Sequence, residues 1–294
     1  MPSTTTSWRR LWIETTAALG GDPEAANEAR WLCQEAAGLE GPEWALGLDA
    51  DAGARAVTRL DAMVARRRAG EPVQYVLGSW AFRHLDLLVD RRVLIPRPET
   101  EQVVDVALAA VAGRERPLLV ADLGTGSGAI ALSLAQELPL TGVEIWATDV
   151  SSDALDVARA NLAGLGRPAA NVRLAEGDWF AALPVERRGC FDLVVANPPY
   201  VAADDELEPA VRDWEPAGAL YAGPDGLDAV RVLVAGAASW LRPGGRLVVE
   251  IGAGQGEAAV ALAEAAGLVD AVVHPDLAGR DRVLAATRAP GSVC

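Results

Sequence analysis

Three short stretches hold residues whose types and spacing can do chemistry. The first is Asp122-Leu123-Gly124-Thr125-Gly126-Ser127-Gly128-Ala129. Glycines at such a place permit a tight turn and let a ligand approach the backbone, and a helix starting at Ala129 offers unpaired N–H groups to an anion. Gly124-x-Gly126-x-x-Ala129 also fits a dinucleotide fingerprint, so on this stretch alone nicotinamide and flavin ligands stay open. The second is Asp149, 21 residues beyond Gly128. A carboxylate there accepts hydrogen bonds from the ribose hydroxyls of whichever adenosine cofactor is present. The third is Asn197-Pro198-Pro199-Tyr200. Two prolines stiffen the turn and leave their carbonyls without a ladder to join. With the Asn197 amide oxygen they make two fixed acceptors for one NH2 group, beside an aromatic ring able to cover a planar amide or base. Hydride transfer has no use for such a slot.

These stretches need a scaffold that brings them to one place. Apolar periodicity predicts helices over 99–112, 129–138, 152–165, 227–241 and 255–266. Between them, short apolar runs predict strands over 117–122, 143–148, 191–196, 246–251, 271–274 and 283–287. The alternation implies an α/β fold with a doubly wound parallel sheet covered on both faces, and ligands at the carboxyl ends of its strands. The N-terminal part reads differently. Trp8, Leu11, Trp12 and Thr15 recur at helical spacing, as do Ala29, Leu32, Cys33 and Ala36. Leu60, Met63 and Val64 precede Arg66-Arg67-Arg68, which suits a last helical turn closed by Gly70. The tryptophans here are read as core. From Pro72 to Val93 the β-prone residues Val73, Tyr75, Leu77, Phe82, Leu85, Leu87 and Val89 are broken by Gly78, which predicts a hairpin. The expected division is a small helical domain over 1–73 and a second domain over 74–294, with a hairpin at 74–96 as connector.

Composition removes several readings. With 294 residues, 51% hydrophobic and 23% charged, the chain is long and apolar enough to bury a sizeable core, against disorder or a fibrous repeat. The net charge of −15, with no lysine, argues against a broad electrostatic grip on nucleic acid. Cys33, Cys190 and Cys294 form neither a metal-type spacing nor a disulfide framework, which favours a reducing compartment. The stretch from Met1 to Arg10 leads into no signal-peptide core, and no run approaches 18 apolar residues. A soluble cytoplasmic protein with no membrane contact is expected. His84 and His274, the two histidines, sit in no motif and are read as structural or surface groups.

The Asn-Pro-Pro-Tyr turn after a Gly-rich loop resembles that of S-adenosylmethionine-dependent methyltransferases acting on planar NH2 groups. The chain as a whole resembles one family, the N5-glutamine methyltransferases of peptide chain release factors (the HemK/PrmC family). The likeness is carried by Gly70-Glu71-Pro72, Tyr75 and Gly78, then Leu94-Ile95-Pro96-Arg97-Pro98-Glu99-Thr100-Glu101. It continues through the Gly124–Gly128 loop, Asp149, Gly177-Asp178-Trp179-Phe180 and Asn197–Tyr200 to Glu215-Pro216, Gly226-Leu227, Glu250-Ile251-Gly252, Gln255 and Asp281-Arg282. The resemblance implies a Rossmann-like class I methyltransferase sheet. It also implies that Gly124, Thr125, Gly126, Ser127 and Gly128 line the methionine end of S-adenosylmethionine, Asp149 holds the ribose and Trp179 lies against the adenine. Asn197 then faces both the methyl donor and the substrate amide, with Pro198, Pro199 and Tyr200 completing the slot; Asn197, Pro198 and Tyr200 are the expected catalytic residues. No metal is expected. The implied substrate is the glutamine of the Gly-Gly-Gln loop of class I release factors, and the implied by-product is S-adenosylhomocysteine. Because the slot is too small to choose among glutamines, residues 1–73 are expected to recognise the substrate in part, in a monomer without direct contact to nucleic acid. Two rivals stand beside this reading. One is an adenine-N6 methyltransferase, which uses the same slot but needs a basic target-recognition region. The other is a non-catalytic cofactor-binding assembly partner, which the intact loop, Asp149 and Asn197 disfavour.

Overall fold

The computed structural model describes residues 6–291; Cys294 and the first five residues of the stretch read for a leader lie outside the described residues. The chain divides into two units, Met1–Ser79 with Glu208–Trp214, and Trp80–Leu207 with Glu215–Cys294.

The first unit carries α1 (Trp8–Ala18), α2 (Pro23–Ala37), α3 (Gly41–Gly47), α4 (Ala54–Arg68) and α5 (Val73–Leu77). Local chemistry sets their ends. The Ser7 hydroxyl accepts from the Arg10 N–H, and the Asp22 carboxylate accepts from the Ala25 N–H at 2.7 Å with Pro23 opening α2. Trp8, Leu11, Leu32, Cys33, Leu60 and Met63 pack into one core, where Trp8 and Trp44 meet edge to face with centroids 6.1 Å apart. Burial there pushes the Cys33 thiol up to about 12. The predicted hairpin is corrected at its start: Val73–Leu77 is a helical turn, not a strand. Pro72 stands at its N-cap and Gly78 leaves it with φ +81°. The Arg66 guanidinium donates to the Tyr75 and Val76 carbonyls at 2.9 and 3.1 Å, satisfying acceptors that a helix end otherwise leaves open.

The second unit begins within the hairpin β1 (Ser79–Phe82, its first residue grouped with the first unit) and β2 (Leu85–Leu88), followed by α6 (Thr100–Val111), β3 (Leu118–Leu123), α7 (Ala129–Glu137), β4 (Val143–Asp149), α8 (Ser152–Gly164) and β5 (Val172–Glu176). Then come β6 (Phe191–Ala196), α9 (Pro209–Arg212, grouped with the first unit), α10 (Asp228–Trp240), β7 (Leu241–Glu250), α11 (Gly256–Ala265), β8 (Leu268–Pro275) and β9 (Asp281–Arg288). Seven strands form one sheet in the order β5-β4-β3-β6-β7-β9-β8. All six residues of β3 and of β6 are buried, as a strand covered on both faces requires. Leu118 and Val120 point into a core shared with α6 and α7, whereas Leu119, Ala121 and Leu123 point into a core shared with α10 and α11. One expectation fails at the edge. β9 runs antiparallel to both β7 and β8, because residues 276–280 between β8 and β9 are too few for a crossover helix. β5, which periodicity did not pick out, pairs in parallel with β4 at the other edge. Strand order reverses between β3 and β6, so the crevice for a ligand opens at the carboxyl ends of those strands. Among the described residues no helix is long and apolar enough to cross a membrane.

Candidate active site

The turn after β3 is built around buried Asp122. Its Oδ2 accepts from the Thr125 hydroxyl at 2.6 Å and from the Ala131 N–H at 3.1 Å, so one carboxyl group ties the loop to the first turn of α7. Burial pushes this carboxyl up to about 7, against those two bonds. The Gly124 and Thr125 N–H groups are spent on the Thr148 carbonyl at 2.9 and 2.8 Å, which leaves the rest of the loop facing the crevice. Gly124 has φ +75°, and a Cβ there would stand 3.4 Å from the Trp179 ring.

Asp149 ends β4 with both carboxylate oxygens engaged by backbone. Oδ2 accepts from the Gly126 N–H and Oδ1 from the Ser151 N–H, each at 2.9 Å. Each oxygen keeps a lone pair for a further donor. Ser151 caps α8 by accepting from the Ala154 N–H, so Asp149 is not consumed as an N-cap.

At the end of β6 the Asn197 Nδ2 donates to the Thr100 hydroxyl oxygen at 3.0 Å, and that hydroxyl donates to Glu250 Oε2 at 2.7 Å. Asn197 Oδ1 is buried and has no partner. An unpaired buried acceptor costs about 1–3 kcal/mol, so a site that keeps one is waiting for a donor. Burial raises the Tyr200 phenol above its usual range, with the Glu250 charge adding to the effect.

Gln255 holds the Asn-Pro-Pro-Tyr turn from behind. Its Nε2 donates to the Tyr200 carbonyl at 3.0 Å and to that of Gly226 at 3.2 Å, while its Oε1 accepts from the Gly252 N–H at 2.8 Å. Gly226, with φ +72°, approaches so closely that a Cβ would lie 2.2 Å from the Tyr200 oxygen. Gly226→Ala is therefore expected to cost about 2–3 kcal/mol through strain and displacement of that carbonyl, read as a shifted midpoint in urea unfolding. An unchanged midpoint would show that the turn does not depend on this contact.

These elements enclose a cavity of about 520 Å³, within the range of small-molecule sites. Gly124, Thr125, Gly126, Ser127, Asp149, Trp179, Asn197 and Pro199 line it; Gly128, Pro198 and Tyr200 do not. Gly128 instead caps α7 at φ +87°, where a Cβ would stand 3.0 Å from the Leu132 side chain. Arg92, Leu94, Pro96 and Thr100, to which sequence reading gave no role, complete one wall, and Pro216, Gly218 and Ala219 another. Buried Glu215 ties the two walls together, accepting from the Ile95 N–H at 3.2 Å and from the Arg97 guanidinium. His274 lines a separate groove of about 890 Å³ along α6 and β8, which gathers charges of both signs. Neither histidine lies at the Gly-loop cavity.

The residues present fit an adenosine cofactor. A carboxylate, a glycine cradle against an indole, and a buried unpaired amide oxygen converge on one cavity at the sheet's switch point. The fold is that of a class I methyltransferase. The release factor glutamine methyltransferases of Cereibacter sphaeroides (46% identity, 94% of this chain and 96% of that one) and of Moorella thermoacetica (46% identity, 92% and 94%) are similar along nearly the whole length. The chain belongs to the release factor glutamine methyltransferase family. Residues 10–78 match the family described as the PrmC N-terminal domain, and residues 120–216 that described as a methyltransferase domain. Among solved structures, a protein-(glutamine-N5) methyltransferase from Alicyclobacillus acidocaldarius aligns at 29% identity over 67% of this chain and 95% of that one, with a TM-score of 0.40.

Proposed function

We propose that this protein methylates the side-chain amide nitrogen of a glutamine in a peptide chain release factor, with S-adenosylmethionine as donor. The observation that carries the reading is the unpaired, buried Oδ1 of Asn197, a residue that lines the cavity and whose amide is turned by the bond from Nδ2 to Thr100. A primary amide brings an N–H donor for that acceptor and a second one for the neighbouring Pro198 carbonyl.

When bound, S-adenosylmethionine supplies an electrophilic methyl group and departs as the neutral thioether, S-adenosylhomocysteine. Asp149 would hold the ribose hydroxyls, Trp179 would cover the adenine, and the loop from Gly124 to Gly128 would hold the methionine end. The amide nitrogen is a poor nucleophile because its lone pair is delocalised into the carbonyl. Asn197 Oδ1 and the Pro198 carbonyl would accept both N–H bonds and turn that lone pair toward the methyl carbon. As the N–C bond forms and the S–C bond breaks, positive charge grows on the nitrogen. The two acceptors then hold its protons more tightly than in the ground state, until one leaves to solvent. Orientation of this kind removes at most about 7–11 kcal/mol of barrier. Pro199 and Tyr200 would complete the slot around the planar amide.

A slot of this size reads one amide and cannot choose among many glutamines, so discrimination belongs to a second surface. We assign it to the helical N-terminal residues 1–73, with a class I release factor as partner and its Gly-rich loop entering the slot. The net charge of −15 supports a protein substrate over nucleic acid. We further propose that the protein acts as a monomer in the cytoplasm. Transfer of labelled methyl from S-adenosylmethionine to purified release factor, with DNA as a parallel acceptor, is the test. Label is expected in the release factor; label in DNA alone would overturn the reading.

A further inference from the structure

The bond that turns Asn197 depends on a group that no part of the reaction requires directly. Glu250, at the end of β7, is 1% exposed, and its Oε2 accepts the Thr100 hydroxyl proton at 2.7 Å. That donation leaves the Thr100 oxygen as acceptor for Asn197 Nδ2 at 3.0 Å. The chain has one direction only while Glu250 is a carboxylate. A hydroxyl obliged to donate to Glu250 must accept from Asn197, which puts Nδ2 toward Thr100 and leaves Oδ1 buried without a partner among the described residues.

We propose that Glu250, acting through Thr100, is the positioning residue that fixes the amide polarity of Asn197, and that methyl transfer depends on Glu250 being ionised. The inference rests on the functional reading above and deepens it. Protonation gives Glu250 a donor of its own. The carboxyl can then donate to Thr100, which frees the Thr100 proton for Asn197 and removes the constraint that holds the amide in one polarity. In the flipped polarity an NH2 group stands where, on the functional reading, the substrate amide brings another, and two donors meet with no acceptor between them.

The surroundings place this switch in a useful range. Burial is the largest influence on Glu250 and pushes its carboxyl up to about 7. The charged and titratable groups that face it come from several elements. Arg282 on β9 and Arg97 ahead of α6 favour the carboxylate, and Glu99 opposes it. Tyr200, beyond β6, feels the Glu250 charge in turn. Because the folded carboxyl titrates above its ordinary range, the productive polarity is lost as pH falls through about 7 and is complete above it.

The full-length protein allows two independent readouts. The first is the pH profile of kcat for release factor methylation at saturating S-adenosylmethionine. Wild type is expected to lose activity on an acid limb, and Glu250→Gln to lose that limb while retaining measurable turnover. Thr100→Val, close to isosteric, is expected to lower kcat about tenfold with KM for release factor nearly unchanged, and Thr100→Ser to restore it. The second readout needs no turnover. The chain has four asparagines, Asn27, Asn161, Asn171 and Asn197, so selective 15N labelling gives four side-chain NH2 pairs, with Asn197 assigned by Asn197→Gln. In wild type the Asn197 pair is expected to shift between pH of about 5.5 and about 8.5, and in Glu250→Gln to stay still. A wild-type Asn197 pair that does not move over that range overturns the proposal, as does a Thr100→Val enzyme with wild-type kcat and pH profile. Wild-type enzyme that transfers no methyl group to release factor at any pH overturns the functional reading instead, and the titration of Asn197 still decides the hydrogen-bond chain.

Discussion

Replacing Asn197 with alanine is expected to lower methyl transfer to release factor by about 10²–10³-fold and to leave S-adenosylmethionine affinity within about tenfold. The asymmetry follows from where the two ends of the side chain point. Nδ2 is spent on Thr100, so its loss frees a hydroxyl that still has Glu250 to donate to, and the fold around it keeps its partners. Oδ1 has no partner among the described residues, so its loss is felt only when a donor should be there. That donor is the substrate N–H, whose bond strengthens as charge develops on nitrogen. The penalty therefore falls on the transition state and appears in kcat rather than in cofactor binding. Single-turnover rates with excess enzyme, beside calorimetric titration of the cofactor, separate the two. Near-wild-type turnover in the variant would remove Asn197 from the chemistry.

Asn197 could be found from sequence because it sits in a continuous motif; its orientation could not. The glycine loop, Asp149 and the Asn-Pro-Pro-Tyr turn each follow an apolar strand, and such runs are legible when both faces of the strand are buried, as in β3 and β6. β5 escaped because it is a five-residue edge strand carrying Arg173 and Glu176, with only Val172 fully buried. Val73–Leu77 was misread for a related reason. Its residue types favour strands, and the pair that overrides them, Pro72 before and Gly78 after, encloses a single turn stabilised by Arg66 from an earlier helix. The antiparallel β9 followed from the length of the 276–280 turn, which periodicity does not weigh. Thr100 and Glu250 lie 150 positions apart and meet only once β7 is placed beside α6 in the finished fold. No spacing rule joins them. Thr100 stood in a motif that carried the family likeness but had no role of its own, and Glu250 stood in another.

Asp149→Ala is expected to weaken S-adenosylmethionine binding by about 2–3 kcal/mol, with kcat at saturating cofactor within a few-fold of wild type. Two losses add to that figure. A charged acceptor for the ribose hydroxyls disappears. The Gly126 and Ser151 N–H groups also lose the carboxylate that now holds them at 2.9 Å, so the loop is less ordered before the cofactor arrives. Neither loss distinguishes the ground state from the transition state. The ribose is the same before and after methyl transfer, and Asp149 lies on β4, away from the β6 turn that aims the amide. Uniform loss of binding raises KM for the cofactor and spares kcat, the reverse of the Asn197 pattern. S-adenosylhomocysteine should lose affinity by the same factor, because it carries the same ribose. Asp149→Asn keeps one carbonyl oxygen and should fall between wild type and alanine. Calorimetric titration of both nucleosides into the three proteins is the measurement. Equal affinities for wild type and Asp149→Ala would take this carboxylate out of the cofactor site, and a loss confined to S-adenosylmethionine would place it against the sulfonium rather than the ribose.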